Sequence, residues 1–153
     1  MSATGLDVFD KTLQTTNMWL NEITDVIGPD RQLAWKVLST VLHKLRDRMQ
    51  VELSAHFAAQ LPLLVRGVYY DQFRPASQPR DCRTVEEFTQ EVAEWLGDVR
   101  PVDPALAIAA VLLVLDRHVD PGELEKVRHS LPKPLRQMWD SVSQPQQAFE
   151  NAD

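Results

Sequence analysis

The sequence contains one stretch twice, and this internal repeat constrains the fold more than any other feature. Two segments, beginning at Val41 and Val111, align at a constant offset, and the Leu-Pro step at 61–62 falls on the one at 131–132. Repeated segments are typical of supersecondary units that bury their apolar faces only against one another. The other matched pairs are Leu45 and Leu115, Met49 and Val119, Leu53 and Leu124 to within one residue, Arg66 and Arg136, and Tyr69 and Trp139.

The spacing of apolar residues predicts helices and no strands. In the first helix, steps of three and four place Leu6, Phe9 and Leu13 on the same face as Leu20 and Ile23, so we expect this whole face to be buried. No segment alternates with period two over the length of a strand. We therefore predict an all-α fold of about eight helices, arranged as two similar four-helix repeats packed into one compact domain.

Polar residues followed by helical patterns mark where the predicted helices begin. Asp30, Thr84, Asp103 and Asp120 each stand at a predicted N-cap. The helix after Asp103 is apolar on nearly all sides, so we expect it at the centre of the molecule. The predicted organisation is a single domain over residues 1–142, with repeats at about 5–72 and 84–142, a linker at 73–83 and a polar tail at 143–153.

Composition points to a cytoplasmic protein. The longest apolar run, residues 105–115, is about half of the ~20 residues that a membrane-spanning helix needs, so we expect no contact with a membrane. No secretory signal is visible at the N-terminus. Because Cys82 is the only cysteine, the chain can form no internal disulfide, which fits a reducing compartment.

The net charge of −6 resides wholly in the second half of the chain. Residues 1–75 carry eight basic and eight acidic side chains, whereas residues 76–153 carry eight basic and fourteen acidic ones. A nucleic-acid-binding protein normally shows a basic stripe. Here the best candidates, Lys44, Arg46 and Arg48, are spread around a helix axis, so we expect no nucleic-acid partner. We expect the acidic second half to face water or a basic partner.

No pattern typical of catalytic or metal-binding residues is present. The four histidines form no HExxH or related spacing, and Asp120 and Glu123 are better explained as helix-start residues. The chain has no Gly-rich phosphate loop and no GxSxG elbow. Cys82 lies between Arg80 and Arg83 with no histidine placed to activate it, so its reactivity stays open. We expect no catalytic residue, no metal and no cofactor, and enzymatic activity has no support.

One constellation suggests a binding surface, because arginine and aromatic residues follow the Leu-Pro step in both repeats. Arg, Tyr and Trp are enriched where binding energy is concentrated in protein interfaces. The alternative is that the aromatic residues close the two half-cores, with arginine stems lying over them. The predicted partner-binding residues are Arg66, Tyr69, Tyr70, Phe73, Arg136 and Trp139.

Three stretches carry a resemblance to a known family. They are AAQLPLLVRGVYYDQFRPA at 58–76, EEF at 86–88 and VLLVLDRHVDPGELEKVRHSLP at 111–132. Together they resemble the bacterial family catalogued as domain of unknown function 2267, although Gln72-Phe73 stands where members more often have Gly-Trp. The resemblance implies a helical fold and a weak association with stress-response genes. It implies no activity, cofactor or site residue, because none is settled for the family.

These observations favour a small cytoplasmic helical module that acts by binding, most of all by binding another protein. They leave open whether the chain forms a homo-oligomer. The alternative is a carrier or sensor of a small apolar ligand held between the repeats, lined by residues 34–45 and 105–115. A third hypothesis, an enzyme that uses Cys82 or a histidine, requires a cleft that joins residues scattered along the sequence.

Overall fold

The computed structural model describes residues 3–97 and 101–144, which form eight α-helices and one short 3-10 helix at Pro75–Ser77. These described residues contain no strand, which confirms the all-α prediction. The predicted tail falls outside the described residues from position 145 onwards. The helices are α1 (Asp7–Ile27), α2 (Arg31–Arg46), α3 (Val51–Ala58), α4 (Leu63–Tyr69), α5 (Val85–Leu96), α6 (Pro104–His118), α7 (Pro121–Ser130) and α8 (Lys133–Ser143).

Helix α6 lies at the centre of the molecule, as its apolar sequence predicted. It contacts α1, α2, α5, α7 and α8, and its residues are buried on several sides. Helix α2 is the second central element and contacts α1, α4, α5 and α6. The other helices surround this pair, so the C-terminal end of α2 reaches the edge of the core beside α4 and α5.

The predicted N-caps are confirmed by hydrogen bonds. The side chains of Asp30, Thr84, Asp103 and Asp120 each accept a hydrogen bond of 3.0–3.1 Å from a backbone N–H two or three residues later. These bonds satisfy donors that have no partner within the first turn of a helix. Gly97 ends α5 with a φ of 67°, a conformation that strains other residues.

The N-terminal half of α1 differs from the prediction. Leu6, Phe9 and Leu13 are exposed, Phe9 by 47%, whereas Thr12 is buried. At this end α1 meets α4, where the backbone N–H of Leu64 donates to Thr12 Oγ1 at 3.2 Å. This bond satisfies a donor in the first turn of α4, and it requires the threonine side of α1 to face inwards. The apolar stripe is therefore rotated out towards solvent.

Helix α1 also joins the two halves of the chain. It packs against both α2 and α6. The Trp19 ring stacks on the His118 ring with centroids 5.6 Å apart, and Glu22 lies 2.6 Å from His118 Nε2 and 3.3 Å from Arg117. The first helix is therefore a shared element rather than part of one half alone.

The two Leu-Pro steps have the same local structure. Pro62 has φ −56° and ψ 152°, and Pro132 has φ −55° and ψ 149°. Residues 61–70 and 131–140 show the same burial class at every matched position. Yet α4 packs on α1 and α2, whereas α8 packs on α5, α6 and α7. The corners repeat locally, and the division into two whole repeats and the domain boundaries stay predictions.

Candidate functional site

Two of the six predicted partner-binding residues lie inside the core. Tyr69 and Trp139 are fully buried. The Tyr69 hydroxyl lies 2.6 Å from Ser54 Oγ, and Trp139 Nε1 donates to Asp116 Oδ1 at 3.0 Å. Burial raises the pKa of Tyr69 far above its ordinary value, so this phenol stays protonated. Neither ring can contact a partner in this structure, which agrees with the alternative interpretation that they close the half-cores.

The two predicted arginines are half-buried and have different surroundings. Arg66 Nε donates to the carbonyl of Ala58 at 3.0 Å, and its Nη2 donates to the carbonyl of Leu61 at 3.0 Å. Arg66 therefore stabilises the turn between α3 and α4 by donating to carbonyls on both sides of it. At the matched position, Arg136 Nε is buried and finds no hydrogen-bond partner in the described part of the chain.

The remaining two residues, Tyr70 and Phe73, lie next to each other at the surface. Tyr70 meets Tyr69 edge to face with centroids 5.4 Å apart, and it meets Phe73 in the same way at 5.7 Å. The guanidinium of Arg46 lies 5.4 Å from the centroid of the Phe73 ring. The structure thus brings Tyr69, Tyr70 and Phe73 together, and Phe73 in turn borders a cleft that the sequence did not indicate.

This cleft has a volume of about 770 Å³. It opens between the C-terminal end of α2, the linker and the side of α5. Four of the residues that line it are basic and one is acidic, so we call it the basic cleft. It is defined by Lys44, Arg46, Asp47, Arg74, Arg80 and Trp95.

Arg46 forms the inner wall of the basic cleft. Only 4% of the residue is exposed, and its Nη1 donates to the carbonyls of Tyr69 at 2.6 Å and Asp71 at 2.8 Å. Its Nε and Nη2 both donate to Asp47 Oδ1, at 3.2 and 3.1 Å. Arg46 therefore caps the end of α4, and its charge is compensated by Asp47.

Asp47 also fixes the linker to α2. Its carbonyl accepts a hydrogen bond of 2.7 Å from the backbone N–H of Arg80, and its Oδ1 accepts one of 3.2 Å from Gln78 Nε2. The Arg80 guanidinium lies 3.9 Å from Asp47 Oδ2. The linker is thus an ordered wall of the cleft, and it holds Arg80 at the rim.

Lys44 and Trp95 form the opposite wall. Lys44 is only 4% exposed, and its Nζ lies 4.7 Å from the centroid of the Trp95 ring, while Trp95 itself is 53% exposed. Burial lowers the pKa of Lys44, and the nearby charges of Arg80 and Arg48 lower it further, against the opposing effect of two carboxylates. An ammonium group thus lies under an exposed indole, in the cation–π arrangement that tryptophan favours.

His43 lines the basic cleft as a neutral side chain. Its Nε2 lies 2.6 Å from the carbonyl oxygen of Val68, and because a carbonyl can only accept, Nε2 carries the proton. Burial lowers the pKa of His43 below its ordinary value, which favours the neutral ring. The positive charge of the cleft therefore comes from its lysine and arginines.

The chemistry of the basic cleft is that of an anion-binding surface. Arginine offers a planar fork of donors, lysine offers a compact charge, and an exposed indole offers a flat apolar face. The described residues include no group of three or more His, Cys, Asp or Glu side chains arranged to hold a metal ion. No helix in this part of the chain has both the length and the apolar character needed to cross a membrane.

Sequence reasoning missed this cleft because its residues come from three separate segments. In the sequence, Lys44 and Arg46 belong to an interrupted basic stripe on one helix, whereas Arg74 and Arg80 lie in the linker. One sequence pattern could have indicated the cleft: a linker that contains arginines, together with a lysine and an arginine in the last turn of a helix. The helical spacing of Phe88, Val92, Trp95 and Leu96 predicts that all four face inwards, and this is wrong for Trp95, which is 53% exposed.

Comparison with known proteins identifies a family and no function. No curated protein matches the sequence. A family model described as "Uncharacterized conserved protein (DUF2267)" matches residues 16–138, which is most of the chain and includes the α2 and α5 walls of the basic cleft. The chain therefore belongs to the DUF2267 family.

Proposed function

We propose that this protein is an interaction module that binds an acidic segment of a partner protein in the basic cleft. The observation that carries the proposal is local charge: Lys44, Arg74 and Arg80 lie beside exposed Trp95, in a chain whose net charge is −6. Tryptophan and arginine are the residues most enriched at the energetic centres of protein interfaces. Phe73, from the predicted binding surface, lines the same cleft.

The distribution of charge favours a short acidic segment over a nucleic acid. A long polyanion would extend beyond the cleft along a molecule whose net charge is −6, which would repel it. A segment of a few residues could place its acidic groups against the arginines of the cleft, and about 770 Å³ is room enough for a few side chains.

An apolar ligand held between α2 and α6 is not favoured by any observation. The basic cleft is polar, and the central residues of these two helices, such as Val41 and Val111, are fully buried in the core. A scaffold role, a cytoplasmic location and an association with stress stay predictions.

The proposal is tested by capturing partners from cells of the source organism. The tagged protein is crosslinked in the cells, purified and compared with a variant that carries Arg74→Glu and Arg80→Glu. Both side chains are exposed, so we expect the variant to fold and to lose a partner that the original protein recovers. The control is Lys133→Glu, which reverses one charge at an exposed position on α8, away from the cleft.

If the original protein recovers nothing beyond what the double variant recovers, the basic cleft is not a docking surface. The same conclusion follows if Lys133→Glu removes the partner as completely as the double variant does, because net charge alone would then explain the binding.

A further inference from the structure

The inner end of the basic cleft carries more positive than negative charge, because Lys44, Arg46 and Arg80 line it with one acidic residue, Asp47. Lys44 and Arg80 line the same cleft, and the pKa of Lys44 is lowered most by burial and further by the positive charges of Arg80 and Arg48. Two carboxylates oppose them, but each has other partners: Glu91 pairs with Arg48, and the single charge of Asp47 is divided between Arg46, which donates to it, and Arg80, which lies 3.9 Å away. In the described part of the chain, no carboxylate lies within ion-pair distance of Lys44 Nζ.

We propose that Lys44 and Arg80 hold a dianionic phosphoryl group, so that the acidic segment bound in the basic cleft is a phosphorylated one. This inference rests on the proposed function and names the chemistry of its partner. Two cations line one cleft, one on α2 and one on the linker, and together they attract an anion into it.

A phosphoryl group suits this pair of cations better than a carboxylate does. It carries a charge of about −1.5 to −2 near neutral pH, so one group can compensate both Lys44 and Arg80. Its oxygens accept the paired donors of a guanidinium on one side and an ammonium on the other. A carboxylate has a single charge and only two oxygens, so the repulsion between the two cations would be only partly relieved.

The neighbouring residues have separate parts in this arrangement. Trp95 covers Lys44 and is itself half exposed, so it can pack against the side chain that follows the phosphorylated residue. Arg74 at the rim attracts acidic residues further along the segment. Arg46 is compensated by Asp47 and sets the shape of the inner wall without contacting the ligand.

The experiment titrates the full-length protein with inorganic phosphate and follows the indole N–H of Trp95 and the ε-carbon of Lys44 by NMR at pH 7.5. Sulfate is a second dianion, and chloride at matched ionic strength is the control for screening. We expect saturable shifts with phosphate and sulfate and none with chloride. We also expect the Lys44 signal to report a rise in its pKa when the anion binds.

Lowering the pH to 6 tests whether binding depends on the charge of the anion or on its shape. Inorganic phosphate is then mostly a monoanion while sulfate remains a dianion, so phosphate binding should weaken and sulfate binding should persist. Lys44→Met and Arg80→Met should each weaken binding about ten-fold or more. Lys133→Met on α8 should leave it unchanged. Arg80→Met keeps the backbone hydrogen bond to Asp47, so it remains informative if Lys44→Met folds poorly.

The inference is overturned if phosphate produces no saturable shift, if chloride produces the same shift, or if a folded Arg80→Met protein binds phosphate as before. A second arm treats the cell lysate with a phosphatase before partner capture. Loss of the cleft-dependent partner supports the inference. Capture that persists overturns it and leaves the proposed function standing. If the untreated lysate gives no cleft-dependent partner, the proposed function fails, and the phosphate titration still decides whether the anion site exists.

Discussion

The corner before α4 and the corner before α8 share a backbone and a pattern of burial, but their polar contacts are reversed. At the end of α2 the pair Arg46-Asp47 stands where α6 has Asp116-Arg117. Arg46 donates to backbone carbonyls at the end of α4, whereas Asp116 accepts from Trp139 Nε1 and pairs with Arg128 at 2.5 Å. The same junction is thus held once by a buried cation and once by a partly buried anion.

This difference teaches that apolar residues fix the geometry of the corner, while polar residues may diverge provided that each buried group finds a partner. The divergence also has a consequence for function. Asp47 fixes the linker to α2 and so builds the basic cleft at the first corner. At the second corner the matched residue, Arg117, pairs with Glu22 of α1 instead.

The largest effect is expected where the buried cation is removed. Arg46→Met leaves the carbonyls of Tyr69 and Asp71 without donors and Asp47 without its main partner. We expect a loss of about 4 kcal/mol in the free energy of unfolding, measured by urea denaturation, because the removal breaks a buried charged network. Lys133→Met, at an exposed position, should change it by less than about 0.5 kcal/mol. A loss of under about 1 kcal/mol for Arg46→Met would show that the first corner does not depend on its cap.

A smaller loss is expected at the second corner. Asp116→Ala leaves Trp139 Nε1 without an acceptor and Arg128 without its partner, but both charged groups are partly exposed to water. We expect a cost of about 2 kcal/mol. The double variant Asp116→Ala, Arg128→Met should cost less than the sum of the two single variants, because it removes both members of the pair. Full additivity would contradict the coupling that the structure indicates.

The matched arginines should differ although their positions correspond. Arg66→Met removes hydrogen bonds to the carbonyls of Ala58 and Leu61 in the turn between α3 and α4, for which we expect a loss of about 1 kcal/mol. Arg136→Met should cost less than about 0.5 kcal/mol, because Nε of this side chain has no partner in the described residues. Equal losses in the two urea titrations would mean that both arginines act through their apolar stems alone.

The smallest effect is a dependence on pH that belongs to the first corner. Because burial lowers the pKa of His43 below the ordinary 6.5, the unfolded chain takes up a proton before the folded one does. The contribution of His43 to stability is therefore full above about pH 7 and falls as the pH drops below 6.5. His43→Leu, which copies Leu113 of α6, should reduce the loss of stability between pH 7.5 and pH 5.5. If the free energy of unfolding of the two proteins depends on pH in the same way, this prediction is wrong.

Features that depend on neighbours in the sequence could be predicted. The N-caps at Asp30 and Thr84 involve residues within one turn, so their hydrogen bonds follow from local spacing. The central position of α6 followed from its apolar residues on several sides. The Leu-Pro corners followed from the inability of proline to continue a preceding helix.

Features that depend on distant contacts could not be predicted. The inward face of Thr12 is decided by a bond to Leu64, which no local pattern reveals. The sequence predicts Arg66 to be a binding residue. Its hydrogen bonds to nearby carbonyls become visible only once the fold shows which carbonyls lie beside it. The basic cleft was missed for a similar reason, since charges on a helix such as α2 are typical of a solvated face until another segment packs over them.

The position of α1 across both halves has a consequence for how the molecule opens. Because Trp19 and Ile23 are buried in a core that includes α6 as well as α2, neither half can separate while α1 stays in place. Backbone amides of α1 and α6 in this region should therefore exchange with deuterated solvent at similar, slow rates, through one shared fluctuation. The first turns of α1, where Phe9 faces solvent, should exchange much sooner.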